Sequence, residues 1–491
     1  MKLGRLWINN YKSLRNCEIQ FEQPHLLNAI IGNNGSGKSN LIEAILHILI
    51  GVYFKISPPF DFSFQYEAQG RQVKLEGTDN KISIHIDGER KSVEYFANRL
   101  RDGAAQVYYP ELTFVYYSGE CQRVRSLINR YQQHFRRLTR EPDSDNLRPL
   151  FVESTNEQSQ AILLALFAHG HFRLLEYLGF KEIVNVSLEL RSPIGFNSER
   201  HEPKLWNTVG AVRRIVAAID ETAFSVDSRR HDKLRPEDAT DGGNYSETRT
   251  YRFNDDLQAD KSIRNLANRL AKSSDNLYLA IEHLRAREIF KSLSFQLKGR
   301  HGTDYFEFDQ ISEGEKQLLA VVGALNLVNQ ADNLVLLDEP DTHLNPRWSW
   351  EYQGMLNDSL DNTQRLRSTV LMATHNPVTI SGLTKEQVLL AHPPSNDMPM
   401  FTRPRRNPRG QGIANLLCSS EFFGLPSSLD KETQKLLDER LAISIKDVLT
   451  DADKARLKQL NQELEIITPG VSERDPDYVE FLRQRHTPRQ G

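Results

Sequence analysis

Apolar residues follow three rhythms along this chain. Short, largely apolar runs at 26–31, 114–117, 334–337 and 369–373 predict buried strands. Strict alternation at 17–21, 73–75, 82–86 and 183–190 predicts half-exposed strands, and 51–120 is strand-rich as a whole. Helical spacing appears at 41–49, 162–178, 206–219 and 318–322, and again at 431–445 and 455–466. Residues 227–260 are polar, with few apolar anchors, and predict a long loop. No heptad is sustained between 123 and 300, so no long coiled-coil arm is expected, and no internal repeat is present.

The rhythm changes suggest four segments: an N-terminal lobe over 1–122, an insertion over 123–300, a C-terminal lobe over 301–395, and a basic linker with a helical tail over 396–491. The linker, Arg403-Pro404-Arg405-Arg406-Asn407-Pro408-Arg409-Gly410, is too rich in Pro to be a strand or a helix. The tail ends in a short helix expected near Asp475-Pro476.

Composition narrows the class. Of 491 residues, 39% are hydrophobic and 26% charged, which fits an ordinary globule. Net charge is −3, so any nucleic-acid surface must be a local patch. The three cysteines have no metal-ligand spacing and point to a reducing compartment. No apolar h-region follows the N-terminus, and no stretch approaches ~18 apolar residues. The expectation is a cytoplasmic protein that makes no use of a membrane.

Candidate chemistry begins at Gly32-Asn33-Asn34-Gly35-Ser36-Gly37-Lys38-Ser39, which fits G-x-x-x-x-G-K-[ST] between a strand and a helix. Backbone amides and a helix N-terminus would face a phosphate, Lys38 would reach its charge, and Ser39 would ligate Mg²⁺. The run 333–337 delivers Asp338 and Glu339 to a strand end, where Pro340 stops it; Asp338 suits the metal and Glu339 a general base. Asp341 follows at once. A further strand ends in His375, placed to bond a γ-phosphate. Ser312-Glu313-Gly314-Glu315 caps an apolar helix and makes a second anion cradle. Lys12 or Arg15, on a hairpin tip before the P-loop, can lie beside a nucleotide, and a tip solvated in the ordinary way fits as well. Gln122, just after a buried strand, can touch Mg²⁺ and the attacking water, or lie in a surface loop. Arginines at 123, 125, 130, 136, 137, 140 and 148, with Tyr131 and Phe135 among them, could form a nucleic-acid surface; a solvated helix face is the alternative.

In this order the motifs resemble the ABC-type ATPase heads of the RecF/SMC group and the OLD-like ATPases. Ile8-Asn9-Asn10-Tyr11-Lys12-Ser13-Leu14, Gly35-Ser36-Gly37-Lys38-Ser39-Asn40 and Glu339-Pro340-Asp341-x-His343-Leu344 carry the likeness, over about 1–120 and 300–395. The resemblance implies an α/β fold: an ABC-ATPase head with a mixed sheet, a P-loop core sheet, a helical insertion and a helical tail. It implies ATP and Mg²⁺ as ligands, with Asn33 to Asn40 on the nucleotide and Asp341 in the D-loop. It also implies a homodimer or higher oligomer in which two ATPs are sandwiched, Ser312 to Glu315 of one protomer facing the γ-phosphate of the other. Glu313 replaces the second signature glycine, a change this group tolerates.

OLD nucleases add a Toprim domain. Here Asp451-Ala452-Asp453 is the sole candidate for its acidic pair, and it reads as the first turn of a capped helix, so no built-in nuclease is expected. Tyr116-Tyr117-Ser118-Gly119-Glu120 and Asp475-Pro476-x-Tyr478-Val479-x-Phe481-Leu482 are similar to stand-alone anti-phage ATPases of the Septu type and their retron-linked relatives, which work with a separate HNH-type nuclease. Three functions compete: a defence ATPase controlling such a partner, a RecF-like repair ATPase binding DNA directly, and a nucleotide-binding scaffold. Glu339 and His375 argue against the last.

Overall fold

The four largely apolar runs become neighbouring strands of one sheet. Its order is Phe401–Thr402, Val388–Ala391, Leu27–Ile31, Thr369–Ala373, Leu334–Asp338, Thr113–Tyr117, Phe151–Ser154. Every pairing is parallel except the one at Phe401–Thr402. Strands Leu27–Ile31, Leu334–Asp338 and Thr369–Ala373 are buried at every position, as strands covered on both faces must be. The computed structural model describes residues 1–21, 27–101, 108–119, 122–138, 150–193, 204–232, 245–253, 259–271, 276–299, 304–328, 332–360, 368–394, 399–446 and 448–467.

Parallel pairing fixes where the chemistry can sit. Asp338 is in register with Ala373 on one side and Tyr117 on the other, and Ala373 with Ile30. The four chain exits after these residues therefore share one edge of the sheet, the edge where ligands of open α/β sheets bind.

A second sheet is antiparallel, in the order Cys17–Gln20, Lys2–Asn9, Asp61–Ala68, Arg71–Thr78, Lys81–Ile86, Glu89–Lys91. Its inward residues, such as Leu6, Phe64 and Leu75, share one core with Leu41, Ile45 and Leu49 of helix Lys38–Phe54. The mixed α/β head expected from the motifs is thus present.

A third sheet is built mostly from the insertion, with its last strand from the start of the C-terminal lobe: Ser225–Asp232, Tyr245–Arg252, Phe180–Arg191, Phe290–Gly299, Tyr305–Glu307. It corrects the loop expected over 227–260. Residues 227–232 and 245–252 are paired strands, and helix Ala259–Ala271 starts at 259. Beside the buried Tyr251, the inward positions there hold a polar cluster. Glu247 Oε1 accepts from Arg249 Nε at 2.7 Å and Glu247 Oε2 from Trp206 Nε1 at 3.0 Å. The remainder of that stretch, 233–244 and 254–258, lies outside the described residues.

The chain divides into two compact units, 1–410 and 411–491. The basic linker belongs to the first: Arg403 Nη1 donates to the carbonyls of Glu386 and Val388 at 2.6 and 3.1 Å. In the second unit the two amphipathic patterns form helices Lys431–Ser444 and Asp451–Ile467, clamped by Arg456 on both carboxylate oxygens of Glu439 at 2.7 Å. Asp453 accepts from Thr450 N at 3.0 Å and pairs with Lys446, so it works as a cap. The helix expected near 475 lies outside the described residues. Among the described residues no helix is long and apolar enough to cross a membrane.

Candidate nucleotide site

Strand Leu27–Ile31 enters the glycine loop, and helix Lys38–Phe54 leaves it. Gly37 caps that helix at φ 97°, in the left-handed region, and a Cβ there would meet Ser13 Oγ at 3.0 Å and Leu14 Cδ2 at 3.1 Å. Ser13 also accepts from Asn40 Nδ2 at 2.8 Å, so the N-terminal hairpin braces the loop. Asn33, Asn34 and Gly35 are exposed, whereas Ser36 is buried. Lys38 Nζ donates to the carbonyls of Gly32 and Asn33 at 2.7 and 3.3 Å. Burial pushes the Lys38 ammonium below its ordinary range, against the pull of Glu339 and Asp338.

Ser39 Oγ donates to Asp338 Oδ1 at 3.0 Å, joining residues 299 apart in sequence. Burial pushes the Asp338 carboxyl up to about 6, with the Glu339 charge adding to the rise and Ser39 and Lys38 opposing it. Glu339 turns the chain at φ 51°, a left-handed conformation that costs a side-chain-bearing residue on the order of 1 kcal/mol or more. Its amide donates to Ala373 O at 2.8 Å, and its carboxylate lies in contact with His375 Nδ1. The strained turn thus aims Glu339 at the exit of the next strand.

Asp341 is buried and accepts from Thr374 Oγ1 at 2.8 and 2.9 Å and from Thr379 Oγ1. Burial raises its pKa, against those hydroxyls. Asp341 therefore ties the loop after Glu339 to the loop that carries His375.

Ser312 N-caps helix Glu313–Leu318 through a capping box: its amide donates to Glu315 Oε2 at 2.8 Å and its Oγ accepts from Glu315 N at 3.3 Å. Gly314 leaves no room for a side chain, since a Cβ would lie 3.0 Å from His343 O and 3.2 Å from Trp348 Cζ3. Glu313 is exposed. Among the described residues no hydrogen bond or ion pair links Ser312 to Glu315 with the P-loop of the same chain.

Three residues for which the sequence suggested no role in the nucleotide site also build it. Gln317, fully buried, accepts from His343 N at 3.1 Å. Tyr117 Oη donates to Ser39 O at 3.2 Å, and Ser118 N donates to Asp338 O at 3.1 Å. Their signal was position alone, at strand ends and on the signature helix. Lys12 is ion-paired with the buried Glu43 of the P-loop helix. Gln122 opens helix Gln122–Leu138 and is exposed.

The arginine segment needs a correction. Tyr131 and Phe135 are buried, and Tyr131 Oη accepts from Leu150 N at 2.8 Å, so neither is a stacking platform for bases. They form the apolar stripe of the helix, which hides them between exposed Arg123, Arg125, Arg130 and Arg137. Arg140 and Arg148 lie outside the described residues, as does the Arg136 side chain.

Two domain families match the chain. One, described as "AAA domain", covers residues 5–179, and the other, described as "AAA domain, putative AbiEii toxin, Type IV TA system", covers 213–381. Septu protein PtuA of Bacillus mycoides (strain KBAB4) is 23% identical over 204 residues, 40% of this chain and 27% of that protein. The "Retron Vc95 probable ATPase" of Vibrio cholerae serotype O1 biovar El Tor is 26% identical over 149 residues, 28% of each chain. The DNA replication and repair protein RecF of Histophilus somni (strain 2336) is 46% identical over 55 residues, 11% of this chain and 15% of that one. The matched stretches span less than a third of each relative's length. Two stretches of the chain therefore match AAA-domain families, and parts of it are similar to a Septu protein, a retron ATPase and RecF, in keeping with the ordered motifs on one sheet edge.

Proposed function

We propose that the protein binds and hydrolyses ATP with Mg²⁺, pairs two heads through sandwiched nucleotide, and controls a separate nuclease subunit in bacterial anti-phage defence. The carrying observation is the convergence of Ser39 with Asp338, and of Glu339 with His375, at one edge of the parallel sheet. The residues fit the ligands. Asp338 is buried and raised to about 6, with only a hydroxyl and a neighbouring lysine to favour its charge, and a divalent cation would meet that need. Ser39 and Asp338 would hold the metal, whose chemistry is to neutralise phosphate charge. Exposed amides of Asn33 to Gly35 and the N-terminus of helix Lys38–Phe54 would bind phosphate oxygens, with Lys38 turning from the carbonyls of Gly32 and Asn33 to the phosphate. Glu339 would take the proton of the attacking water, while His375 orients the carboxylate and reaches the γ-phosphate.

Glu339→Gln tests the chemistry. It should bind ATP, hydrolyse it ~100-fold slower, the usual scale for a lost general base, and accumulate ATP-bound dimers or higher assemblies. Near-normal turnover would move the base elsewhere. The defence role draws on the Septu and retron homology. A small nuclease encoded beside this protein and co-purifying with it would support that role; neither being found would sink it. The RecF likeness and the exposed arginines of helix Gln122–Leu138 favour a second reading, direct DNA binding in repair. ATP-dependent affinity for DNA junctions, lost in an Arg123→Ala, Arg125→Ala double variant, would favour it.

A further inference from the structure

The signature helix is held from behind by a few side chains of the insertion. Asn156 Nδ2 donates to Glu313 Oε2 at 3.1 Å. Two residues on, Gln158 Nε2 donates to Glu282 Oε2 at 3.0 Å, while Gln158 Oε1 accepts from Thr155 N at 3.0 Å. Asn156 and Gln158 form the two ends of a single 3₁₀ turn, Asn156–Gln158. The turn follows strand Phe151–Ser154, whose Ser154 Oγ donates to Ala320 O at 2.7 Å. Ala320 lies in a π-helical turn, Leu319–Gly323, directly after the signature helix. At its far end a Cβ on Gly323 would lie 2.9 Å from Ile162 Cγ2, so helix Ser159–His169 packs against it.

The other side of this contact is helix Leu277–Ala286, which carries Glu282. Its N-cap residue Asn276 donates through Nδ2 to Leu327 O at 2.7 Å, beyond the π turn. The chain then continues into strand Phe290–Gly299 of the third sheet. One helix of the insertion thus touches both the turn that holds Glu313 and the segment behind the signature helix. Packed helices joined by hydrogen bonds move together, and a π turn is a place where a helix can change register.

We infer that the Asn156–Gln158 turn is a positioning element that sets the signature helix according to the placement of helix Leu277–Ala286 and the third sheet it leads to, Asn156 holding Glu313 and Gln158 holding Glu282. The inference rests on reading Ser312 to Glu315 as the signature of the ATP sandwich. It gives the third sheet a route to the chemistry: a load on the insertion changes hydrolysis while the P-loop keeps its nucleotide.

The test uses the full chain and reads nucleotide affinity and saturated hydrolysis separately. Asn156→Ala, Gln158→Ala and Glu282→Leu should each keep nucleotide Kd within ~2-fold and lower kcat at least ~5-fold, the scale of coupling through such contacts. Asn156→Asp, which keeps the shape and sets a carboxylate against Glu313, should do the same. Glu282→Gln keeps an acceptor for Gln158 and should retain kcat. Asn156→Ala combined with Glu313→Ala should cost no more than either alone. Unchanged kcat in Asn156→Ala and Gln158→Ala, or additive losses in the double variant, would overturn the inference. Ser312→Arg separates the two claims: if it abolishes hydrolysis while the turn variants are fully active, only the coupling fails, and if it is itself active, the signature reading fails first.

Discussion

Glu339 shows how a single residue can be both legible and illegible. Its identity as a carboxylate after a buried strand was readable, because apolar runs that end in Asp-Glu-Pro have few other uses. Its left-handed φ and its pairing with His375 were not, since they depend on strand register. Lys38 is simpler. Lys38→Ala removes the cation from the loop and should abolish ATP binding in a calorimetric titration; unchanged affinity would refute the phosphate assignment. Glu282 carries a pH signature that no sequence pattern announced. Burial pushes its carboxyl from 4.5 up to about 7, against Arg285 and Gln158. The folded state then holds a proton that the unfolded chain has lost, so stability falls as pH rises from about 4.5 to about 7. At ~1.4 kcal/mol per unit the loss is on the order of 3 kcal/mol at pH 8. Glu282→Gln carries no charge there, so it should unfold at higher denaturant than the parent at pH 8 and alike at pH 4. Equal midpoints at pH 8 would contradict the cost of that buried charge.

At the scale of elements, legibility followed the nature of the buried face. Strands buried on both sides announce themselves as apolar runs, and all four such runs sit in the central sheet. Strands Ser225–Asp232 and Tyr245–Arg252 did not, because Glu247, Arg249 and Ser228 satisfy one another inside the sheet and leave a polar stretch that reads as a loop. In helix Gln122–Leu138 the aromatic residues lay among arginines in sequence but on the other face in space. The signature helix lends itself to a direct test. Ser312→Arg puts a cation and bulk where a facing γ-phosphate is proposed, so nucleotide binding should survive while hydrolysis and ATP-driven association fail together. That change also removes an N-cap, worth ~1 kcal/mol. Ser312→Asp keeps the cap and adds a negative charge towards the phosphate, and it should fail in the same two assays. Retained hydrolysis in both variants at low protein concentration would mean that two protomers share no site.

At the scale of the whole molecule, the head and the tail make separate predictions. Every motif residue of the nucleotide site lies within the compact unit 1–410, and the basic linker is hydrogen-bonded to that unit by Arg403 and by Arg409, whose amide donates to Leu383 O at 2.9 Å. In residues 411–467, Leu416, Phe422, Ile443, Leu460 and Leu464 are buried. Several large apolar side chains of this unit remain exposed: Leu441, Ile445, Val448 and Ile466, between 52% and 84%. An exposed apolar set on a helical hairpin fits a docking role in self-assembly or with a nuclease partner, and packing against the chain's own head is the competing account. A chain ending at Gly410 decides between them, because its cut falls at the unit boundary and leaves the linker contacts intact. If the tail docks, the shortened protein should stay folded and bind ATP with unchanged affinity, yet change its oligomeric state or lose nuclease association in size-exclusion and pull-down experiments. Changing Leu441, Ile445 and Val448 to Ser in the full chain should give the same loss while the head remains intact. If the shortened protein precipitates, or if it keeps both its size and its partner, the tail is a buttress of its own head.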